Sequence, residues 1–460
     1  MTLLALAPGL FAPLQSLLSF LPQIAIAGLA LLTAVFRPQV YRWAWSKAKA
    51  RPGIAVAVAG VTLLSLVGAA FALRRGKPEA PPPPDAKVEG SWTFRGDRMR
   101  TGGDGSSVPL DIAVSWQFVE MLDRRPFASS PAVWGQRVYV GCDNDVLYCF
   151  HATEPGDPLW TFAARHPVFA TPTVTGGRVY IGEGLHHHAD ARLYCLDAMS
   201  GKKIWEFVTT SHVEDAPTVV DGRVYFGAGD DGVYCLSAAT GEKIWQARGM
   251  HIDTSPLVAG GLVLVGAGYG ETGVAAYRAS DGTRAWFTPL PASCWGPPSL
   301  GPAGAVVGIG NGNFVHTNAD PRAEILCLSL EGGGIVWRTP LRDAVLAAAA
   351  ISGDRVYLGD RSGDFSCFDA KTGRRIWKTG CGSGVVASAA LAPNAVVYGC
   401  LGGHLHAVAP ADGKPIWTWD ASRDAWTTAN GFTSSPTIAD GRIYAGCDNF
   451  VFYCLGRKKP

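Results

Sequence analysis

Tryptophans recur through most of this chain at near-constant intervals, and that regularity restricts the possible folds more than any other feature. Trp160, Trp205, Trp245, Trp286, Trp337, Trp377 and Trp417 are separated by 45, 40, 41, 51, 40 and 40 residues. Each closes a unit that reads small-Pro-x-Val, then Gly-Arg-Val-Tyr-x-Gly, a turn, Tyr-Cys-Leu, a turn containing Gly, and Ile-Trp. The second element recurs at Arg137 to Gly141, Arg178 to Gly182, Arg223 to Gly227, Arg355 to Gly359 and Arg442 to Gly446. Apolar and polar residues alternate between Gly, Asp and Asn turns, the pattern of short antiparallel strands. Four strands in a period near 40 residues predict a β-propeller.

The units can be counted. Seven are complete, and an eighth begins at Ser434-Ser435-Pro436, runs through Phe452 to Leu455 and stops before its tryptophan strand. Upstream, Val114 to Phe118 is a tryptophan strand without a unit, and its Trp116 lies 44 residues before Trp160. The sequence therefore predicts an all-β, eight-bladed propeller whose N-terminal strand completes the last blade, leaving no sheet edge open to other chains. The composition agrees: 56 Gly and 15 Trp in 460 residues, with 17% charged residues against about 25% in an average domain. That mixture excludes intrinsic disorder, coiled coil and collagen.

Charge is unevenly distributed. Residues 1–78 hold eight Lys or Arg and no acid, which leaves 32 bases against 38 acids elsewhere. A slightly acidic main body argues against nucleic acid as a partner. The basic region contains two uncharged 20-residue runs, 17–36 and 54–73, each long enough to cross a bilayer as a helix. Pro22 interrupts the first, as membrane helices tolerate. Arg37, Arg42, Lys47, Lys49 and Arg51 lie between the runs, and Arg74, Arg75 and Lys77 follow the second. Five positives against three place the short loop in the cytoplasm and both chain ends outside, with Tyr41, Trp43 and Trp45 suited to the interface. The alternatives are a single signal anchor and a cleaved signal peptide; Met1 to Leu14 has no basic n-region to support the latter. The expected organisation is a membrane region at 1–77, a proline-rich spacer at 78–90 and a propeller at 91–460 on the periplasmic side of the inner membrane. The spacer, with Pro78 and Pro81 to Pro84, should be extended and semi-rigid.

The repeat carries a family resemblance. Cys195-Leu-Asp197-Ala-Met-Ser200-Gly201-Lys-Lys-Ile-Trp205 resembles the tryptophan-docking repeat of quinoprotein (pyrroloquinoline quinone, PQQ) propellers. It recurs at Cys235 to Trp245, Ala276 to Trp286, Cys327 to Trp337, Cys367 to Trp377 and Ala407 to Trp417. Trp92-Thr-Phe94-Arg95-Gly96-Asp97 is similar to the segment that opens many such propellers, so its Arg-Gly-Asp is a propeller opening rather than an adhesion motif. The resemblance covers about residues 91–456 and implies that Trp116, Trp160, Trp205, Trp245, Trp286, Trp337, Trp377 and Trp417 are docking plates between blades. It is specific for fold and weak for function, because the repeat builds both PQQ-dependent dehydrogenases and cofactor-free scaffolds, including the propeller subunit of the outer-membrane β-barrel assembly machinery. The dehydrogenases carry a vicinal Cys-Cys pair and large loop insertions. This chain has no adjacent cysteines and about 370 residues for eight blades, so PQQ is not expected and no other cofactor is indicated. No Gly-x-Ser-x-Gly elbow is present.

Six of the 11 cysteines (Cys149, Cys195, Cys235, Cys327, Cys367, Cys454) share one repeat position, and Cys142, Cys400 and Cys447 share another. Equivalent positions in different blades are too far apart for a disulfide, and free cysteine packs as a small hydrophobe. Cys294 and Cys381 stand outside both classes. No zinc or haem cysteine motif is present.

Functional residues are expected on one face. In a four-stranded blade, the loop between strands two and three opens on the same side as the loop leading to the next blade. His186, His187 and His188 lie in the first kind of loop in blade two, and His316 in that of blade five. His166, His212 and His251 lie in the second kind, entering blades two, three and four. Counting back from Pro217 and Pro256, His212 matches His251 and Glu214 matches Asp253, and Trp295 takes the place of Asp253 in the following unit. Imidazole and carboxylate together bind a polar ligand, a protein partner or a transition metal. The simpler alternative is that duplication copied a structural His-x-(Glu/Asp) pair and that the triple histidine is a solvated loop. Function is thus expected to be binding or scaffolding without catalysis, with a quinoprotein-type oxidoreductase and a ligand sensor as the other readings.

Overall fold

A computed structural model describes residues 94–458 apart from Arg98, Val315 and 422–430. The expected membrane runs, the proline-rich spacer and Trp92 lie outside the described residues. Among the described residues no helix is long and apolar enough to cross a membrane. Two compact units divide the chain, and the second, Lys87–Pro460, contains every described residue.

The described residues form eight four-stranded antiparallel sheets. Seven blades are consecutive, at 132–163, 173–208, 218–247, 257–289, 299–341, 350–380 and 390–420. The eighth combines Thr437–Ala439, Arg442–Gly446 and Val451–Arg457 with the early strand Ile112–Val119. That strand runs antiparallel to Val451–Arg457 with Val114 opposite Leu455 and Phe118 opposite Phe452, separated by one bulge before Trp116. Blade count and closure both match the repeat arithmetic.

The repeat residues explain how blades join. Each tryptophan donates its indole N–H to a carbonyl at the edge of the next blade: Trp160 to Ala198, Trp205 to Ala238, Trp245 to Ala279, Trp286 to Leu330, Trp337 to Ala370 and Trp377 to Pro410, all at 2.9–3.2 Å. The ring closes through Trp417 to Pro109 and Trp116 to Ala152. Within a blade the indole lies opposite a small residue, as in Cys195–Trp205 and Ala276–Trp286, which is why that position stays Cys or Ala. The turn glycine is required for two reasons. Gly201 has φ of +68°, and a Cβ there would lie 2.5 Å from the Trp160 ring.

A second belt surrounds the axis. At the inner strands one blade's backbone N–H donates to the serine hydroxyl of the next: Ala348 to Ser388, Ser388 to Ser435, Ser435 to Ser130, and Ala216 to Ser255, at 3.0–3.1 Å.

The axis itself is filled by residues 94–97 and 99–103, ahead of any blade. Arg95 and Arg100 are almost fully buried. Arg95 donates to the carbonyls of Pro436 and Ala389, in blades eight and seven. Arg100 donates to the carbonyls of Pro256, Pro298 and Phe94, reaching blades four and five. Blades four and eight are opposite members of an eightfold ring, so this segment spans the axis. Its own carbonyls at Met99, Thr101 and Gly102 accept N–H groups of Ile351, Leu391 and Ile438, from the inner strands of blades six, seven and eight. Burial pushes the two guanidinium groups down to about 9 and about 10, still charged at neutral pH.

Two outcomes follow from this architecture. Deleting residues 112–119 exposes the Val451–Arg457 edge, and the full chain should then run as aggregates in analytical ultracentrifugation; a monodisperse deletion variant of unchanged melting temperature contradicts the closure. Arg100→Ala strands three buried carbonyls and should cost about 3 kcal/mol or more, read as a lowered thermal midpoint.

Candidate functional site

The funnel above the axial segment is a cavity of about 470 Å³. Residues at the entry of every blade line it, among them Ser130, Thr171, Ala216, Ser255, Pro297, Ala348, Ser388 and Ser435. Phe94 contributes to its lining and packs with Ala216 and Ala348, with the Arg100 guanidinium 4.8 Å from its ring centroid. One wall is apolar, with Leu346, Val386 and Phe314; the wall of blades two to four is polar, with His186, His187, Glu214, Asp215 and Asp253, flanked by Tyr269 and Trp295.

The polar wall is built by loops pinned to one another. His251 pairs with Tyr269, and Ile252 with Gly229, as isolated antiparallel bridges. Gly229 has positive φ, and a Cβ on it would sit 2.6 Å from the His212 ring, so glycine makes room for that histidine. Asp253 is the centre. Its Oδ1 lies 2.8 Å from His212 Nε2, and its Oδ2 lies 2.8 Å from His251 Nε2 and 3.3 Å from His186 Nε2. The outer nitrogens are also engaged: His186 Nδ1 with Glu214 at 2.6 Å and His251 Nδ1 with Asp230 at 2.6 Å. His186 stacks on His212 with ring centroids 4.5 Å apart. His186, His212, His251 and Asp253 thus bring four potential metal-ligand atoms within 4.8 Å of one another.

Electrostatics follow from this arrangement. Hydrogen bonds to Asp253 and Glu214 raise the His186 pKa to about 10. Burial works against ionisation of Asp253, but the three imidazoles outweigh it and hold the carboxyl well below its usual range. Burial lowers the His251 pKa less than hydrogen bonds to Asp253 and Asp230 raise it. Asp215 has the opposite fate: burial, then Asp253 and Glu214 nearby, push its pKa far up, and its buried Oδ2 has no hydrogen-bond partner among the described residues.

Of the histidines singled out from the sequence, His186, His212 and His251 meet at Asp253, with Glu214 beside them. His166, His187 and His188 form an adjoining group: His166 pairs with Asp190 at 2.9 Å, and the His188 ring lies against both His166 and His187 at a tilt, with centroids 4.2 and 4.0 Å away. His316 is exposed on its long loop, with its backbone N–H on Asn313, and does not join either group. Trp295 lines the cavity edge-on to Tyr269. The sequence reading did not single out Asp215, Asp230, Tyr269 or Phe94. Asp230 was findable, since it sits in the two–three loop of blade three, the counterpart of the triple-histidine loop.

The cysteines form no disulfide, and ten of the 11 are buried. Cys381 and Cys400 nevertheless come together with His406 across blades six and seven, where Cys400 Sγ is 3.8 Å from His406 Nε2.

Eight blades joined by indole-to-carbonyl docking, with a funnel at the axis, define the class of quinoprotein-type repeat propellers. A family model described as outer membrane protein assembly factor BamB matches residues 100–187, 187–294 and 271–457, and the chain belongs to that family. No curated protein matches the sequence. Among solved structures, the chain is similar to BamB from Moraxella catarrhalis, at 15% identity and TM-score 0.59, over 76% of this chain and 98% of that one. It is also similar to the quinohemoprotein alcohol dehydrogenase of Comamonas testosteroni, at 15% identity and TM-score 0.61, over 82% of each chain. A computationally designed protein, Ika8, matches at 14% identity and TM-score 0.59, over 74% of this chain and 98% of that one. At such identities these likenesses concern the fold.

The His186 shift sets a pH dependence. A pKa raised from 6.5 to about 10 gives a stabilisation that is complete below pH 6.5 and lost as pH rises through about 10. The depressed Asp253 gives one present above pH 3.8 and lost on acidification. In chelator-treated protein, imidazole NMR should show His186 holding its proton to about pH 10. Asp253→Asn should bring that titration down toward 6.5; an unmoved titration contradicts the assigned contacts.

Proposed function

We propose that this protein is a membrane-anchored binding scaffold, held on the outer side of the cytoplasmic membrane, whose funnel receives a side chain or short segment of a protein partner. The observation that carries the reading is the funnel: one concave cavity, apolar on one wall and polar on the other, lined from all eight blades. Concave sites with an apolar lining and a few placed polar groups are where ligands bind. The residues that form it sit on loops of a rigid ring, the usual home of recognition. Membership in a family described as an assembly factor supports a binding role. The five-to-three charge bias and the proline spacer support an outward-facing propeller on a tether.

The competing reading is a quinoprotein oxidoreductase, motivated by the dehydrogenases of the same fold. Its cofactor, a tricarboxylate quinone, does not fit the donor set of the funnel. The described lining has no Arg or Lys and carries Glu214, Asp215 and Asp253, and its His186 is already held by Glu214 and Asp253.

Photo-crosslinking tests the proposal. A photoreactive residue replacing Phe314, at the funnel rim, should join the full chain to a discrete envelope protein in intact cells, whereas one replacing Ile204 on the exposed outer strand should not. Crowding the cavity from an exposed loop with His187→Trp should abolish the adduct without lowering the yield of folded protein. Absence of any funnel-specific adduct, together with dye reduction on adding PQQ, overturns the reading in favour of the enzyme. Protease added to spheroplasts should digest the propeller; protection until lysis reverses the orientation.

A further inference from the structure

The Asp253 centre has more structure than a docking surface needs. Its three histidines come from three separate loops: within blade two, between blades two and three, and between blades three and four. Each presents the same nitrogen, Nε2, to the same carboxylate, at 2.8, 2.8 and 3.3 Å. Two of the three have their Nδ1 on a further carboxylate at 2.6 Å, Glu214 for His186 and Asp230 for His251, and His212 Nδ1 lies 3.4 Å from Ser211 Oγ. A carboxylate or hydroxyl on the far nitrogen is how metal-binding histidines are oriented and kept basic. As a plain ion-pair network the arrangement is poor: three imidazoles with ring centroids 4.5, 5.4 and 5.8 Å apart would share one carboxylate and repel one another when charged.

We infer that His186, His212, His251 and Asp253 form a site for a divalent first-row transition metal that opens onto the funnel. Three imidazoles and one carboxylate suit Zn²⁺, Fe²⁺, Co²⁺ or Ni²⁺. The ion takes the place of the protons that the Nε2 atoms share with Asp253, and so relieves the repulsion between the rings. His212 and Asp253 are buried, whereas His186 is half exposed on the cavity wall, so the ion is reached from the funnel. One carboxylate leaves a divalent ion with net positive charge, and the ligand class that completes it is an anionic oxygen donor, such as a carboxylate entering the funnel. This inference is independent of the scaffold reading, because metal binding and partner cross-linking are measured separately.

The test uses untagged, full-length protein in detergent, stripped with a chelator and titrated with Zn²⁺ or Co²⁺ alone. One equivalent should bind, and the Co²⁺ complex should show visible ligand-field bands without sulfur-to-metal charge transfer. Asp253→Asn and His251→Gln should abolish the bands. Asp230→Asn changes an exposed side chain that reaches the metal only through His251, so its fold should be intact, and it should bind 10–100-fold more weakly. The double change Cys381→Ser and Cys400→Ser should have no effect. No stoichiometric uptake overturns the inference, as does equal affinity in the wild type and Asp230→Asn. So does a sulfur charge-transfer band lost in Cys400→Ser, which moves the ion to the Cys381–Cys400–His406 group.

Discussion

One hydrogen bond, made eight times, decides the architecture: an indole N–H reaching a carbonyl of the neighbouring blade. A four-stranded sheet has two flat apolar faces and cannot bury both alone. The indole covers the joint between one blade and the next and fixes their relative position through a directed bond rather than grease alone. Residues around it are constrained in turn. The opposing residue in the strand must be small, the turn that covers the ring must hold a glycine at positive φ, and the accepting carbonyl belongs to the residue that opens the adjacent turn. The cluster on the funnel face depends on this, since His186, His212, His251 and Asp253 come from three successive positions around the ring and meet only if those blades keep their spacing.

What could be read from the sequence was whatever the repeat made redundant. Trp205, Cys195 and Gly201 are legible because five similar copies show which features are constant. The closing strand was legible because Trp116 was a repeat element without a unit. The convergence of His212 and His251 was legible as well, because both sit at the same offset from the proline that starts the next blade. Features outside the repeat were hidden. Nothing local marks Arg95 and Arg100 as axial, since their partners Pro436 and Pro256 lie far along the chain. Asp215 looks like the neighbour of Glu214 until burial separates their chemistry. Cys381 and Cys400 belong to different blades and different repeat positions, so no spacing rule joins them. His316 sits in a loop of 12 residues between Gly310 and Ala323, too long for repeat alignment to fix where the ring goes.

The funnel divides its chemistry by depth. Toward its floor, Phe94, Ala216 and Ala348 leave nothing to titrate, and burial pushes the pKa of nearby Asp215 up. On the wall, Asp253 stays ionised because three imidazoles compensate it. Two buried carboxylates within one wall are therefore shifted in opposite directions, because only Asp253 meets enough donors to outweigh its burial.

The axial segment has a mechanical consequence. Most single-domain proteins receive a pull on one terminus at an edge strand, which peels first. Here, tension on the chain ahead of Phe94 enters at the hub. Arg95 and Arg100 grip blades four, five, seven and eight, and the backbone of the same segment is held by blade six, so the load spreads across the ring as it does from an axle into spokes. A tether leaving from this point can be stretched without opening any single blade. For the same reason the ring is a cup and not a tube, since what fastens the hub also stops the bore.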